Sequence, residues 1–167
     1  MKGRPLQPPD SLHLEAAHGW LELGNHIEAD VELDKITPQL RAHPDVLKAR
    51  WDVYATARKW ETALDIASAI IQLAPDDPIG WVNRSYVLHE LKRTPDARDN
   101  LLRVVDRFPE SATMRYNLAC YECQLGRLDL AKAWLEKAFE IGNAREMKLA
   151  ALDDSDLEPL WRAIGSL

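Results

Sequence analysis

The residues best equipped for chemistry are Cys120 and Cys123 in a Cys-x-x-Cys step, the histidines His13, His18, His26, His43 and His89, and the acidic run Asp153-Asp154-Ser155-Asp156. A Cys-x-x-Cys pair exchanges electrons through a disulfide or supplies half of a tetrahedral zinc site, in both cases as thiolates. Redox thiolates favour helix N-termini, where the dipole stabilises negative charge. Cys120 and Cys123 fall in the later half of a predicted helix, where the dipole opposes it. Zinc needs two further ligands, and no second Cys or His pair lies nearby. The pair therefore reads as small, soft residues of a helix face, with a labile regulatory thiol pair as the alternative. The histidines lack zinc-ligand spacing, and no nucleophile elbow, phosphate-binding loop or dinucleotide glycine motif is present. The acidic run lacks the central glycine and terminal bidentate Glu of a calcium loop. It reads as a turn in which Ser155 or Asp156 caps a final helix, with Pro159 in the first turn. The expectation is a non-enzymatic protein with no cofactor and no metal.

Composition narrows the classes further. The chain has 167 residues, 46% of them hydrophobic, and 21 basic against 27 acidic side chains for a net charge of -6. That size fits one domain or one short repeat array, and the acidic balance disfavours nucleic acid as a partner. No stretch approaches the length of a membrane span, and Met1–Asp10 has no apolar core for a secretory signal, so no membrane association and a cytoplasmic location are expected. Two cysteines exclude a disulfide scaffold.

Positioning these residues falls to a periodic scaffold. Ala29, Ala63, Ala97 and Ala131 are separated by steps of 34 residues, and the same step relates Leu23, Ala57, Leu91 and Leu125, and Pro75 to Pro109. Slicing on this period gives units 10–43, 44–77, 78–111 and 112–145, with a tail over 146–167. Each unit holds two amphipathic segments: Leu12–Leu23 with Ile27–Ile36, Val46–Ala57 with Trp60–Ala74, Ile79–Leu91 with Asp96–Phe108, and Thr113–Leu125 with Leu128–Ile141. In the fourth of these segments Ala63, Ile66, Ala67, Ile70, Ile71 and Ala74 recur at three- and four-residue steps, which predicts a helix stripe and not a strand.

The sequence here resembles the tetratricopeptide repeat (TPR) family, whose helix–turn–helix unit has this period. The third unit offers Trp81, Arg84-Ser85, Leu88, Ala97, Leu101 and Pro109. The second offers Leu47, Arg50-Trp51, Tyr54, Ala63, Ala67 and Pro75. In the fourth the slots hold Arg115, Leu118-Ala119, Glu122, Ala131, Leu135 and Ala138. The first is weakest, with His13, Ala16-Ala17, Trp20, Ala29 and Leu33, and with Pro38 intruding. Arg50 and Arg84 stand in a leucine slot between helices, so carboxylate partners or exposed head groups are expected for both.

The resemblance implies an all-α, right-handed superhelical solenoid whose inner wall is lined by the first helix of each pair. Its groove-facing slots fall on Leu14, His18 and Leu21, on Lys48, Asp52 and Ala55, on Val82, Tyr86 and His89, and on Tyr116, Cys120 and Cys123. The wall is thus apolar and aromatic at its centre, suited to a peptide or helix of a partner protein. The carboxylate clamp by which some relatives hold chaperone tails is not assembled: Lys48 and Asn83 match, but Asp52, Thr113 and Asn117 do not. Residues 146–167 are expected to cap the last unit, with folding back into the groove as an internal peptide or docking onto a partner as the alternatives. Residues 1–9, rich in proline, are expected to be disordered. The leading function is a protein-interaction adaptor. A cytoplasmic secretion-type chaperone and a regulatory subunit of an enzyme complex are the rivals.

Overall fold

The computed structural model describes residues 5–165, of which 77% are helical and none is in a strand. The all-helical reading of the apolar periodicity therefore holds. The chain divides into two compact units, residues 1–83 and 84–167.

The first unit holds α1 (Asp10–Glu22), α2 (His26–Asp34), α3 (Pro44–Thr56), α4 (Trp60–Leu73) and the start of α5 (Pro78–Glu90). Ala17, Ala29, Leu33, Ile36, Val46, Ala49 and Val53 form its core, with Leu6, Leu14, Leu21 and Leu40 packed against it. The three- and four-residue steps along α2 and α3 place these side chains on one face. Of the segment 1–9, residues 1–4 lie outside the described residues, and residues 5–7 have no regular structure. Asp10, buried at the start of α1, accepts hydrogen bonds from the Thr37 backbone N–H at 2.6 Å and from its hydroxyl at 3.1 Å. That contact fastens α1 to the chain leaving α2.

Arg50 finds the carboxylates expected of it: Nη1 donates to Asp30 Oδ1 at 3.1 Å and Nη2 to Asp34 Oδ1 at 2.7 Å. The second helix, expected to reach Ile36, stops at Asp34 and is followed by a 3-10 turn over Pro38–Leu40. Proline lacks the N–H that a continuing helix needs. Gly80 marks a close approach of α5 to α4, since a Cβ there would come within 2.9 Å of Ile71 Cγ1.

The second unit holds the rest of α5, then α6 (Thr94–Leu102), α7 (Ala112–Gln124), α8 (Leu128–Ile141), α9 (Ala144–Asp153) and α10 (Trp161–Ile164). The sixth helix was expected to run to Phe108 but ends at Leu102, followed by a 3-10 turn over Val105–Arg107. Val104 and Val105 are both buried. Successive positions of an α-helix point about 100° apart, so breaking the helix lets both adjacent valines turn inward. Among the described residues Arg84, unlike Arg50, meets no carboxylate: its Nη1 donates to Asn100 Oδ1 at 2.9 Å. Asn100 in turn donates to Ser85 Oγ at 2.9 Å, and Ser85 donates to the Ala97 carbonyl at 2.7 Å, so α5 and α6 share a buried polar chain. Glu122 of α7, almost fully buried, accepts from Arg98 Nε at 2.5 Å and from Arg127 at 3.4 Å. The Glu122 hydrogen bond, against the cost of burial, holds the Arg98 guanidinium above its usual range.

The tail was expected to end in one helix. It forms α9, a 3-10 segment Ser155–Leu160 containing Pro159, and the short α10. Leu157, Leu160 and Ile164 are buried. Asp154, and not Ser155 or Asp156, caps the 3-10 segment, its Oδ1 accepting from the Asp156 N–H at 3.0 Å.

Each hairpin turns on a residue in the left-handed region: Gly24 (φ 74°), Arg58 (54°), Lys92 (62°) and Gly126 (76°). The N–H of the next residue, Asn25, Lys59, Arg93 or Arg127, donates back to Trp20, Tyr54, Leu88 or Glu122, in every case at 2.8 Å. This closes the open carbonyls at the helix end in a Schellman arrangement. A Cβ at Gly126 would meet nothing within 4 Å, so only backbone conformation is at stake there. Gly126→Ala should lower stability by about 1–2 kcal/mol, the left-handed cost of an L-residue. Lys92→Gly relieves the same cost and should leave the urea midpoint unchanged or higher. Equal losses for the two substitutions would contradict this account of the turns.

Candidate functional site

In the first unit the expected wall residues come from α1, α3 and the start of α5. Leu14 is half-buried against the core, His18 is exposed, and Val82 is half-buried. Lys48 Nζ donates to Asp77 Oδ2 at 2.8 Å, which commits its charge within the chain. Burial pulls the Asp77 carboxyl up, but the Lys48 hydrogen bond, the Ile79 N–H and the Lys48 charge together hold it below the usual carboxylate range. Asp52 stands exposed, although neighbouring protein removes enough water from its carboxyl to raise it, opposed by the charge of His18.

The second unit brings its expected residues together around the chain's own tail. Tyr86 is exposed. His89, Tyr116, Cys120 and Cys123, on α5 and α7, instead surround Asp154 and Asp156. Tyr116 donates its hydroxyl to Asp154 Oδ2 at 2.9 Å, and the Cys120 thiol lies 3.6 Å from the same oxygen. His89 Nε2 is 2.9 Å from Asp156 Oδ2, and Gln124 Nε2 donates to the Asp156 carbonyl at 2.9 Å. A carboxylate only accepts, so Nε2 carries the imidazole hydrogen. The other ring nitrogen is held by the Thr94 hydroxyl at 2.9 Å, and the ring lies 5.1 Å from that of Tyr121. The tail fastens itself as well, Trp161 Nε1 donating to the Asp154 carbonyl at 3.2 Å. Cys120 and Cys123 are thus not open wall but are 5% and 4% exposed.

Reading the sequence missed Asp154, Asp156, Gln124 and Thr94. The acidic run was the only available signal, and it carried no indication of the wall 38 residues earlier that receives it. The electrostatic consequence is consistent across the wall. Burial first, and then the negative charges of Asp154 and Asp156, push the Cys120 thiol well up, and the same influences raise Cys123. Tyr116 is raised as well, by burial first. Such thiols stay protonated and weakly nucleophilic. Among the described residues no group of His, Cys, Asp and Glu side chains is placed to hold a metal ion. A polar cavity of about 220 Å³ lies on α5 and α6 beside Arg84, Arg93 and Arg103. Its carboxylates Asp96 and Asp99 pair with Arg93 and Arg98.

The backbone is similar to solved structures of MamA, a TPR-like helical repeat protein. MamA RS-1 ArsTM double mutant matches with a TM-score of 0.69 and 15% identity over 84% of this chain and 79% of that one. MamA MSR-1 C2 matches with a TM-score of 0.64 and 16% identity over 82% and 78%, and MamA AMB-1 C2221 with 0.62 and 16% over 80% and 78%. No family model and no curated protein matches the sequence. The chain is thus an all-helical protein with a TPR-like solenoid fold.

Because the folded thiols are raised, stability is unaffected below the ordinary thiol pKa of about 8.5 and falls as pH rises above it, where the unfolded chain ionises first. Iodoacetamide at pH 7.5 should label Cys120 and Cys123 at least about ten times more slowly in the native protein than in guanidinium. Cys120→Ala should remove part of the alkaline loss of stability. Equal labelling rates in the native and unfolded chains would show that the tail does not cover the wall.

Proposed function

We propose that this protein is a non-enzymatic, cytoplasmic interaction scaffold that binds a segment of a partner protein on the exposed face of the first helix of each pair. On this reading residues 10–145 form four repeats, 10–43, 44–77, 78–111 and 112–145. The tail after them closes the last repeat, and residues 1–9 take no part. The wall comprises Leu14, His18, Lys48 and Asp52 in the first unit, Val82 and Tyr86 on α5, and His89, Tyr116, Cys120 and Cys123 in the second unit.

One observation carries the reading: the face of α5 and α7 already receives a short chain segment, held by side chains donating into its carboxylates and backbone. A helix face built to take a segment of its own chain has the chemistry of peptide recognition. Two further facts support it. No helix among the described residues is long and apolar enough to cross a membrane, and the net charge of -6 opposes nucleic acid.

Tyr86, 40% exposed beside the occupied wall, is the residue to test. Tyr86→Ala should cut recovery of the main partner from native lysate by about tenfold, as truncating an aromatic anchor does, while far-UV circular dichroism stays unchanged. A folded Tyr86→Ala protein that keeps all of its partner would place binding on another surface.

A further inference from the structure

The contact between the tail and the wall is more polar than a cap requires. Covering an apolar flank needs apolar side chains, and Leu157, Leu160 and Ile164 supply them at 0%, 6% and 1% exposure. Asp154 and Asp156 do something else. They bring two carboxylates against a phenol, a thiol and an imidazole, and among the described residues no Lys or Arg pairs with either of them. Taking two half-buried carboxylates partly out of water costs solvation that a purely apolar cap would avoid. The donors nevertheless converge. Tyr116, Cys120 and Gln124 project from successive turns of α7, and His89 is set from α5 by Thr94 on one side and the Tyr121 ring on the other. Asp154 also receives the Asp156 N–H, so the two carboxylates are presented in a fixed turn.

We propose that this wall is a receptor for an acidic segment of a partner protein, two carboxylates separated by one residue and followed by an apolar side chain, and that residues 154–157 occupy it in cis. The proposal rests on the scaffold reading above and names the partner's chemistry. Among the described residues the wall reads carboxylates through Tyr116, Cys120 and His89 and without a guanidinium fork, which would bind them more tightly, and so allows exchange. The tethered tail competes at an effective concentration on the order of millimolar, so a partner segment engages only by out-competing it. The tail is then a built-in gate on the binding face, and Cys120 and Cys123 lie beneath it as reporters of its position.

The full chain carrying Asp154→Asn and Asp156→Asn tests this. Asparagine keeps the size of each side chain and removes its charge, and Leu157, Leu160 and Ile164 are untouched. The probe is a fluorescein-labelled synthetic peptide with the sequence of residues 151–162, and its control carries Asn at the two aspartate positions. The doubly substituted protein should bind the acidic peptide at least about tenfold more tightly than the parent does, ignore the control, and alkylate at Cys120 and Cys123 faster. Adding Tyr116→Phe and His89→Leu, which remove both donors, to the substituted protein should abolish peptide binding while circular dichroism stays unchanged. Should the substitutions unfold the chain, the parent protein must still bind the labelled acidic peptide saturably by fluorescence anisotropy, and must bind the control at least about tenfold more weakly.

Failure of the acidic peptide to bind the folded variant, or equal binding of the control, overturns the proposal. So does a concentration-dependent dimer that binds no peptide, since the released tail would then serve a second copy of the chain. If the peptide fails but Tyr86→Ala still strips the parent protein of its partner, the acidic-segment proposal falls and the scaffold reading stands.

Discussion

The hydrogen bond that returns from the residue after each turn to the carbonyl five residues earlier governs this fold. It forms only if the intervening residue adopts a positive φ, and Gly24, Arg58, Lys92 and Gly126 all do so. The turn closes within a few residues and aims the second helix back along the first. A methyl group is then the side chain found at the buried position five residues later. Ala29, Ala63, Ala97 and Ala131 are each 0% exposed. Once a hairpin is closed in this way, the remaining surface of its first helix is free to carry other chemistry. Arg58 and Lys92 show that the geometry is imposed by the hairpin, because neither residue favours that conformation.

On α5 and α7 the chemistry so presented is a carboxylate contact made by Tyr116, Cys120 and His89, with no guanidinium among the described residues. A cationic clamp would hold an acidic segment more strongly, with directional ion pairs. Here four cations of the second unit are committed elsewhere: Arg98 and Arg127 to Glu122, Arg115 to the Phe108 and Ser111 carbonyls, Arg93 to Asp96. The wall is left with Tyr116, His89, Gln124 and the thiols. Its own occupant, meanwhile, is tethered. Modest donors and a tethered ligand suit the proposed exchange, and the apolar residues Leu157 and Ile164 are buried next to the contact.

Burial first, and then the same carboxylates, act on the cysteines. A Cys-x-x-Cys pair invites a redox or metal reading, but a thiol that is buried and faces two aspartates is held in its protonated form. Position in the helix and position under the tail act in the same direction. The pair lies buried beside the tail.

Much of this was legible in the sequence. The recurrence of alanine every 34 residues and the three- and four-residue apolar steps determined that the chain is helical and built of hairpins, because helix periodicity and close packing are local constraints written into residue type and spacing. The carboxylate partners of Arg50 were legible for a similar reason, since a guanidinium between helices must be matched. Tertiary structure alone decided the left-handed turns at Arg58 and Lys92, whose residue types do not announce them, and the end of α6 at Leu102, which follows from two valines competing for one core. It alone also decided the site. That His89, Tyr116 and Cys120 would meet Asp154 and Asp156, and not open solvent, depends on where a chain segment 34 to 67 residues away comes to rest. Periodicity carries no signal for that contact, because the tail lies outside the repeat and its aspartates bind by position in space and not by spacing in sequence.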